Sequence, residues 1–200
     1  MLLIPRIFHR IWLGPRKMPA EFAAWGESWA HCNPGWEMKL WTDSNLPALR
    51  NRYVYDQTRG YAYRSDILRL ELIHTFGGVY IDTDFECFRC IEPLLEDRKY
   101  VLFEGSSMRV PNAAFGAVPR HPLIEMLLDG VQQSWYRGNR GEELAGPIYF
   151  RRKLARHTDI SYLPRVLFFP GVRISPAARR ELKLERPEMY AAHYRTSLGR

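Results

Sequence analysis

The sequence predicts an α/β fold in which helices flank both faces of a mostly parallel, Rossmann-like sheet. Segments with strand-like alternation take turns with segments of helical periodicity through the first half of the chain, as in parallel strands joined by crossover helices. The apolar fraction of 46% and the aromatic fraction of 14% are sufficient for a substantial core. A length of 200 residues suits one domain, and no repeat or linker divides the chain, so we expect a single domain over 1–200.

The first elements follow from alternation, helical stripes and turn residues. Residues 6–12 alternate as a strand that ends at a Gly-Pro pair. Phe22, Trp25 and Trp29 then fall on one stripe of a helix that begins after a proline. Residues 36–41 alternate again and predict the second strand.

The middle of the chain predicts a helix followed directly by a short buried strand. Ser65 can cap a helix over Asp66–Phe76, which is apolar around much of its girth. Gly77-Gly78 ends this helix, and Val79–Ile81 continue as a strand. The other predicted elements are a short helix from Asp43 or Ser44 to about Arg50, strands at Tyr100–Glu104, Ala113–Ala117 and Val166–Phe169, and helices from Pro122 to about Trp135 and from Pro147 to about Arg156.

Two carboxylates, Asp82 and Asp84, stand where the strand at 79–81 ends. Because extended residues i and i+2 point to the same side, we expect their oxygens to converge at the sheet edge where open α/β folds bind ligands. Two like charges this close repel each other unless a cation lies between them. Carboxylate oxygens suit Mg²⁺ or Mn²⁺, ions that usually bind substrate phosphates as well. Asp-x-Asp pairs also arise by chance in solvated loops, but the helix and strand before this pair favour a site.

Asp66 and Arg69 lie three residues apart at the start of the predicted helix and therefore share one face. A helix N-terminus favours anionic ligands, and arginine is suited to bidentate contact with phosphate. The alternative is a local ion pair that only steadies the helix. The position of the pair just upstream of Asp82 and Asp84 favours a role in the site.

The net charge of +7 is concentrated in the last third of the chain. Residues 137–200 contain 14 Lys/Arg and 6 Asp/Glu, against 15 and 16 in residues 1–136. This asymmetry fits an anionic acceptor or an anionic membrane surface, and a solvated basic face equally well; no nucleic-acid-binding motif accompanies it, so no nucleic acid partner is expected. The sequence has three cysteines and no recognisable signal peptide, so we expect free thiols in a cytoplasmic protein. Peripheral contact with the inner face of the membrane is a further possibility.

Two stretches, AYRSDILR over 62–69 and FGGVYIDTD over 76–84, resemble the DXD-motif sugar transferases. The resemblance is to the initiating mannosyltransferases and capsular-polysaccharide transferases, with the large glucosylating toxins as distant relatives. Weaker similarity extends over most of the chain, at residues 4–14, 33–36, 40–43, 112–117, 121–122 and 146–147.

The resemblance implies a GT-A fold and a retaining transferase that uses a nucleotide-diphosphate sugar and a divalent ion, usually Mn²⁺, to glycosylate a glycan or a lipid-linked acceptor. It implies that Asp84 binds the metal directly, while Asp82 contacts it through water or holds the ribose and the sugar. Arg69, with the metal, would neutralise charge on the leaving diphosphate. The other implied donor-site residues are Asp66 on sugar hydroxyls and phosphate, Trp12 stacked on the nucleobase, and Gly78 and Asn112 beside the donor.

The C-terminal segment HYRTSL over 193–198 stands where the family tends to have His-Trp-x-x-Ser-Trp. The resemblance makes His193 a metal or diphosphate contact, with Ser197 nearby. Tyr194 and Leu198 depart from the two tryptophans of that pattern. By itself His193 could equally be a hydrogen-bonded structural histidine, and Trp12 by itself could be a core residue.

Two other functions compete with the transferase. Phosphatases of the haloacid dehalogenase type also place Asp-x-Asp after an apolar strand, but they need Thr or Val two residues later, where this chain has Glu86, and their motif lies near the N-terminus. The other alternative is a catalytically inactive module that binds nucleotide sugars or polyanions.

Overall fold

The computed structural model describes residues 1, 3–103, 112–155, 157, 161–168 and 186–194. In chain order the elements are β1 Ile7–Ile11, α1 Ala20–Cys32, β2 Glu37–Trp41, α2 Arg52–Gln57, α3 Tyr61–Phe76, β3 Gly78–Ile81, β4 Phe85–Cys87, α4 Glu92–Leu95, β5 Tyr100–Phe103, β6 Ala114–Ala117, α5 Pro122–Tyr136, α6 Pro147–Leu154, β7 Tyr162–Leu163 and β8 Ala191–His193. Short 3₁₀ turns lie at Gly141–Glu143 and Arg165–Leu167. No helix in these described stretches is both long enough and apolar enough to cross a bilayer.

Six strands form one mixed sheet in the order β2-β1-β3-β6-β5-β7. β1 is parallel to both of its neighbours, and Phe8 lies opposite Met38 on one side and Val79 on the other. β6 is antiparallel to β3 and to β5, while β7 is parallel to β5, so β6 alone among the six strands runs against the others. The prediction of a mostly parallel α/β sheet is therefore confirmed.

Each face of the sheet packs against its own layer, because successive strand residues point to opposite sides. Tyr80 and Phe115 belong to the core that is shared with α3, α5 and α6. Val79 and Ile81 belong to the second core, together with Trp29 of α1. A separate antiparallel pair, β4 with β8, joins this second layer.

The glycine pair between α3 and β3 is required by close packing. Gly77 and Gly78 have φ of +65° and +87°, a region that favours glycine. A Cβ on Gly77 would lie 2.6 Å from the Pro119 ring, and one on Gly78 would lie 2.5 Å from the Ile7 carbonyl oxygen. The pair thus ends the helix and lets β3 approach β1, as the sequence predicts.

The predicted cap at Ser65 is wrong. α3 begins four residues earlier, at Tyr61, and Gly60 is its N-cap. Ser65 lies inside the helix, where its Oγ donates to the Ala62 carbonyl at 2.7 Å. A serine hydroxyl can satisfy itself on the preceding turn in this way, so it does not mark a helix start.

The predicted helix from Asp43 or Ser44 to Arg50 is also wrong, and α2 follows it instead. The Thr42 amide bonds the Asn45 side chain at 2.7 Å, which closes a turn in place of a helix. Pro47 further disfavours helical backbone in the residue before it.

One strand prediction is wrong, and three short strands were not predicted. Residues 165–167 of the predicted strand Val166–Phe169 form a 3₁₀ turn, in which the Leu167 amide bonds the Pro164 carbonyl at 3.0 Å; residue 169 lies outside the described residues. The sequence prediction also missed β4, β7 and β8, which are two or three residues long. Strands this short carry too few residues to show an alternation.

His9 is a buried histidine of β1 that is held in one neutral tautomer. Its Nδ1 accepts from the Trp41 indole N–H at 3.0 Å, so Nε2 carries the proton and donates to the Gly77 carbonyl at 2.9 Å. Burial lowers the pKa of His9 to about 4; the Gly77 hydrogen bond opposes this shift and the Lys39 charge adds to it. The neutral imidazole therefore ties β1 and β2 to the end of α3.

Acidification is expected to destabilise the protein through His9. The lowered pKa of the folded state means that the unfolded state binds more protons below pH 6.5, so the stability contribution is complete above pH 6.5 and is lost toward pH 4. Between pH 7 and pH 5 the wild type should lose about 2 kcal/mol more than His9→Gln, as measured by urea unfolding. Equal losses in both proteins would contradict this assignment.

Candidate functional site

The site is built around the turn that connects β3 to β4. The Asp82 amide donates to the Ala113 carbonyl at 2.8 Å, and the Phe85 amide returns to the Asp82 carbonyl at 3.3 Å. Asp82 and Asp84 therefore lie in a turn rather than in the extended backbone that the sequence argument assumed. Their carboxylates nevertheless converge, because the turn curls at the end of the strand.

His193 reaches this turn from the far end of the chain through the β4–β8 pair. Phe85 lies opposite His193 in that pair, and their rings stack with centroids 4.3 Å apart and planes 6° apart. The neighbouring Tyr194 amide donates to the Asp84 carbonyl at 3.0 Å. The His193 Nε2 lies 3.1 Å from Asp84 Oδ1 and 4.0 Å from Asp82 Oδ2.

The three side chains can provide a divalent cation site. One ligand atom from each of Asp82, Asp84 and His193 lies within 4.8 Å of the others. Two carboxylates and an imidazole carry donor atoms that divalent first-row metals accept. The donor set therefore fits the metal that the sequence predicts at these residues.

Arg69 of α3 is buried beside this cluster and is held by several acceptors. Its Nη1 donates to the Asn112 carbonyl at 2.6 Å and lies 3.3 Å from Asp82 Oδ1. Its Nη2 lies 3.2 Å from Asp66 Oδ1 and donates to the Ser65 hydroxyl at 3.0 Å. The guanidinium thus bridges two carboxylates that the chain places on different elements.

Charge balance in this network shifts the proton affinities of its members. Burial raises the pKa of Asp66 to about 6, although Arg69 and the Asn112 hydrogen bond favour its ionised form. Burial likewise raises the pKa of Asp82, against the opposing effect of Arg69. For Arg69 burial acts to lower the pKa, but Tyr80 and the carboxylates outweigh it and raise the pKa.

Tyr80 belongs to the site, and sequence reasoning missed it. Its hydroxyl donates to Asp82 Oδ1 at 2.6 Å, and Arg69 lies over its ring at 4.5 Å from the centroid. The signal was present in the sequence, because Tyr80 precedes Asp82 by two residues at the end of the predicted strand, where the alternation of side chains predicts a shared side.

The structure brings most of the predicted residues together. The Asn112 side chain donates to Asp66 Oδ1 at 2.7 Å and so joins the network, while its contact with the donor stays a prediction. Trp12 follows β1 at the same edge of the sheet, but its indole N–H bonds the Arg16 carbonyl at 2.6 Å and its ring contacts Phe22 edge-on. Trp12 also packs against the cluster that contains Tyr194.

Gly78 does not belong to the site. It begins β3, at the end of the strand opposite Asp82, and it is packed against Ile7 of β1. The prediction that Gly78 lies beside the donor is therefore wrong, and this glycine instead permits close packing of β3 against β1. Ser197 lies outside the described residues.

The comparisons with known proteins agree with this geometry. Residues 19–101 match the family described as glycosyltransferase sugar-binding region containing DXD motif. The chain is 24% identical over 186 residues to inositol phosphoceramide mannosyltransferase 1 of Schizosaccharomyces pombe, and this match covers 84% of the chain and 58% of that protein. It is 32% identical over 136 residues to mannosyl phosphorylinositol ceramide synthase SUR1 of Saccharomyces cerevisiae, which covers 65% of the chain and 35% of that protein. The chain thus spans a third to somewhat over a half of these relatives.

Solved structures show the same fold. The structure titled PaToxG glycosyltransferase superposes with a TM-score of 0.69 at 21% identity, covering 78% of this chain and 69% of the other. The GT-A fold implied by the sequence resemblance is confirmed, as is the resemblance to the DXD-motif family. The capsular-polysaccharide type stays a prediction.

Removing the positive charge of the buried Arg69 should destabilise the fold strongly. In Arg69→Met the carboxylates of Asp66 and Asp82 lose their common partner, which we expect to lower the free energy of unfolding by about 3 kcal/mol at pH 7. The matched control is Arg52→Met, which breaks an exposed i,i+4 pair with Asp56 and should leave stability almost unchanged. Urea unfolding measures both; a loss no larger than that of the control would show that solvent, not Arg69, satisfies the carboxylates.

Proposed function

We propose that this protein transfers a hexose from a nucleotide-diphosphate sugar to a hydroxyl acceptor, because residues 19–101 match a DXD-containing glycosyltransferase family. The proposal includes a divalent metal ion and retention of configuration at the anomeric carbon. The observation that carries it is the convergence of Asp82, Asp84 and His193 beside a buried arginine at the carboxyl end of the sheet. Ligands bind at this edge in open α/β folds.

The metal would be held by Asp84 and His193, with Asp82 as the third residue of the site. When bound, the ion supplies positive charge to the diphosphate of the donor. We propose Mn²⁺ rather than Mg²⁺, since Mg²⁺ prefers oxygen ligands whereas this set includes an imidazole nitrogen.

Asp66 and Asn112 support the donor sugar in this proposal. Asp66 Oδ1 already accepts from Asn112, while its other oxygen faces Gly146, where a Cβ would lie only 2.9 Å from it. The absence of a Cβ at Gly146 accommodates this oxygen, which in the proposal accepts from a sugar hydroxyl. Trp12, at the end of β1, is the proposed contact for the nucleobase.

The proposed reaction is a front-face displacement. The bond between the anomeric carbon and the β-phosphate oxygen breaks, and its electron pair leaves with the diphosphate. The acceptor oxygen bonds to the same face of that carbon, and its proton passes to an oxygen of the departing phosphate. The guanidinium of Arg69 would lie beside the diphosphate. Its contact with Asp82, which also accepts from the Tyr80 hydroxyl, would hold these charged side chains in place before the reaction begins.

For the acceptor we propose a hydroxyl on a glycan or on a lipid-linked molecule. Support comes from the yeast relatives, whose names describe transfer to inositol phosphoceramide. The basic surplus of residues 137–200 supports an approach to an anionic membrane surface from the cytoplasmic side.

The competing functions find less support. Glu86, at the place where a phosphatase would need Thr or Val, accepts a hydrogen bond from Tyr194 and so helps to join β4 to β8. An inactive binding module shares the donor site, and it would bind nucleotide sugar without turning it over.

Donor binding is tested by thermal unfolding with UDP, GDP and CMP and their sugar conjugates, each with and without Mn²⁺. One nucleotide diphosphate at about 100 times its Kd should add about 2.7 kcal/mol of stability, and so raise Tm by roughly 5–10 °C, only when metal is present. Asp84→Asn should abolish the shift, while the surface control Asp129→Asn on α5 should retain it. No shift with any nucleotide would refute the donor site.

Retention is tested with water as the acceptor. Incubated with the donor identified above and Mn²⁺, the protein should release sugar whose first-formed anomer has the configuration of the donor, as followed by ¹H NMR. An inverted first product would refute the front-face reaction. Binding without any release or transfer would favour the inactive module.

A further inference from the structure

Arg10 of β1 is a second buried arginine beside the site, and it contacts backbone instead of carboxylates. Its Nη2 donates to the Thr83 carbonyl at 2.9 Å and to the Phe22 carbonyl at 2.6 Å. Its Nε is buried without a hydrogen-bond partner, and only 6% of the residue is exposed. Among the described residues no carboxylate lies within ion-pair distance of its guanidinium.

Thr83 is the middle residue of the turn that presents Asp82 and Asp84. The carbonyl that Arg10 binds therefore lies between the two carboxylates along the backbone. Rotation of that peptide would move Asp84 directly, because the peptide joins the Cα atoms of Thr83 and Asp84, and it would change the path of the turn that follows Asp82. The contact with Phe22 of α1 fixes the other side of the guanidinium.

Gly26 of α1 makes space for this guanidinium. A Cβ at Gly26 would lie 1.8 Å from Arg10 Nη1 and 2.8 Å from its Cζ. Gly26 has ordinary helical backbone, where alanine is favoured over glycine by about 1 kcal/mol. Helix propensity thus disfavours glycine at position 26. The space that the Arg10 side chain needs explains why glycine occurs there.

The Arg10 charge persists in this buried position. Burial lowers the pKa of Arg10 to about 10, and Tyr80 and Asp84 oppose this shift, so the guanidinium is cationic at neutral pH. Burying a cation without a directly paired carboxylate is unfavourable. The attraction of the nearby Asp84 and the two carbonyl acceptors offset part of that penalty.

We propose that Arg10 is a positioning residue that fixes the 82–84 turn in the shape that presents Asp82 and Asp84 to a divalent ion. The part of this inference that concerns the metal rests on the proposed function. The part that concerns how Arg10 orders the turn is independent of it. Arg10 acts on the ligands through the backbone carbonyl between them. Partners of metal ligands typically contribute 10–100-fold to metal affinity.

The first test is Mn²⁺ binding to the full chain in the presence of the stabilising nucleotide, followed by the EPR signal of free Mn²⁺. Arg10→Met removes both donors, and Gly26→Ala displaces the guanidinium without removing its charge. Each should weaken Mn²⁺ binding at least 10-fold, and the double variant should be no weaker than Arg10→Met alone.

The control variant is Asn51→Ala, which breaks buried hydrogen bonds to Glu71 and the Leu128 carbonyl outside the site. It should lower stability while leaving Mn²⁺ affinity unchanged. Unchanged affinity in both Arg10→Met and Gly26→Ala would overturn the proposal. A loss in Arg10→Met alone would assign the effect to charge and would also overturn a positioning role.

The second test needs no metal. Amide hydrogen exchange of the peptide over 82–87 should be faster in Arg10→Met and in Gly26→Ala than in wild type, and unchanged in Asn51→Ala. Absence of this effect would overturn the proposal. If wild type fails to bind Mn²⁺, the proposed function fails by itself, and exchange still decides whether Arg10 holds the turn.

Discussion

The compensation of buried negative charge is the constraint on which the site depends. Asp66, Asp82 and Asp84 come from α3 and from the turn after β3, and burial raises the pKa of the first two of them. The Arg69 guanidinium lies between Asp66 and Asp82, and its positive charge offsets the repulsion between the two carboxylates. α3, which also packs on the sheet and on α5, is therefore fixed in position by electrostatics at its N-terminal half and by apolar contact along its length.

Completion of the site depends on residues that are distant in the sequence. The short strands β4 and β8 are stable as a pair only because they pack into the second core, where Phe85 and Ala191 are buried. This pair brings His193 to Asp84, and the hydrogen bond from Tyr194 to Glu86 joins the same two strands. The three residues of the candidate metal site and strand β8 are thus parts of one structural unit.

Local signals predicted what local physics controls. Short-range steric preferences, which can be recognised in one sequence, explain three correct predictions. These are the glycines between α3 and β3, the strand before Asp82 and the proline at the start of α5. The misplaced helix start at Ser65 has the opposite origin, since a serine hydroxyl has both a capping and a helix-interior partner available. His193 opposite Phe85 and Arg10 beneath Thr83 are long-range arrangements, and no spacing in the sequence encodes them. The family resemblance, not periodicity, pointed to His193.

The contacts of Asp82 with Tyr80 and Arg69 bear on the separate roles proposed for the two aspartates of the turn. Asp82 Oδ1 already accepts from the Tyr80 hydroxyl and lies beside Arg69, so this oxygen has little capacity left for a metal. Its other oxygen lies 4.0 Å from His193, whereas Asp84 approaches the same imidazole to 3.1 Å. In the proposed function, Asp84 and His193 would hold the divalent ion, and Asp82 would contribute its remaining oxygen or a water bound to it. The contacts of Tyr80 and Arg69 with Asp82 support this proposed division of roles.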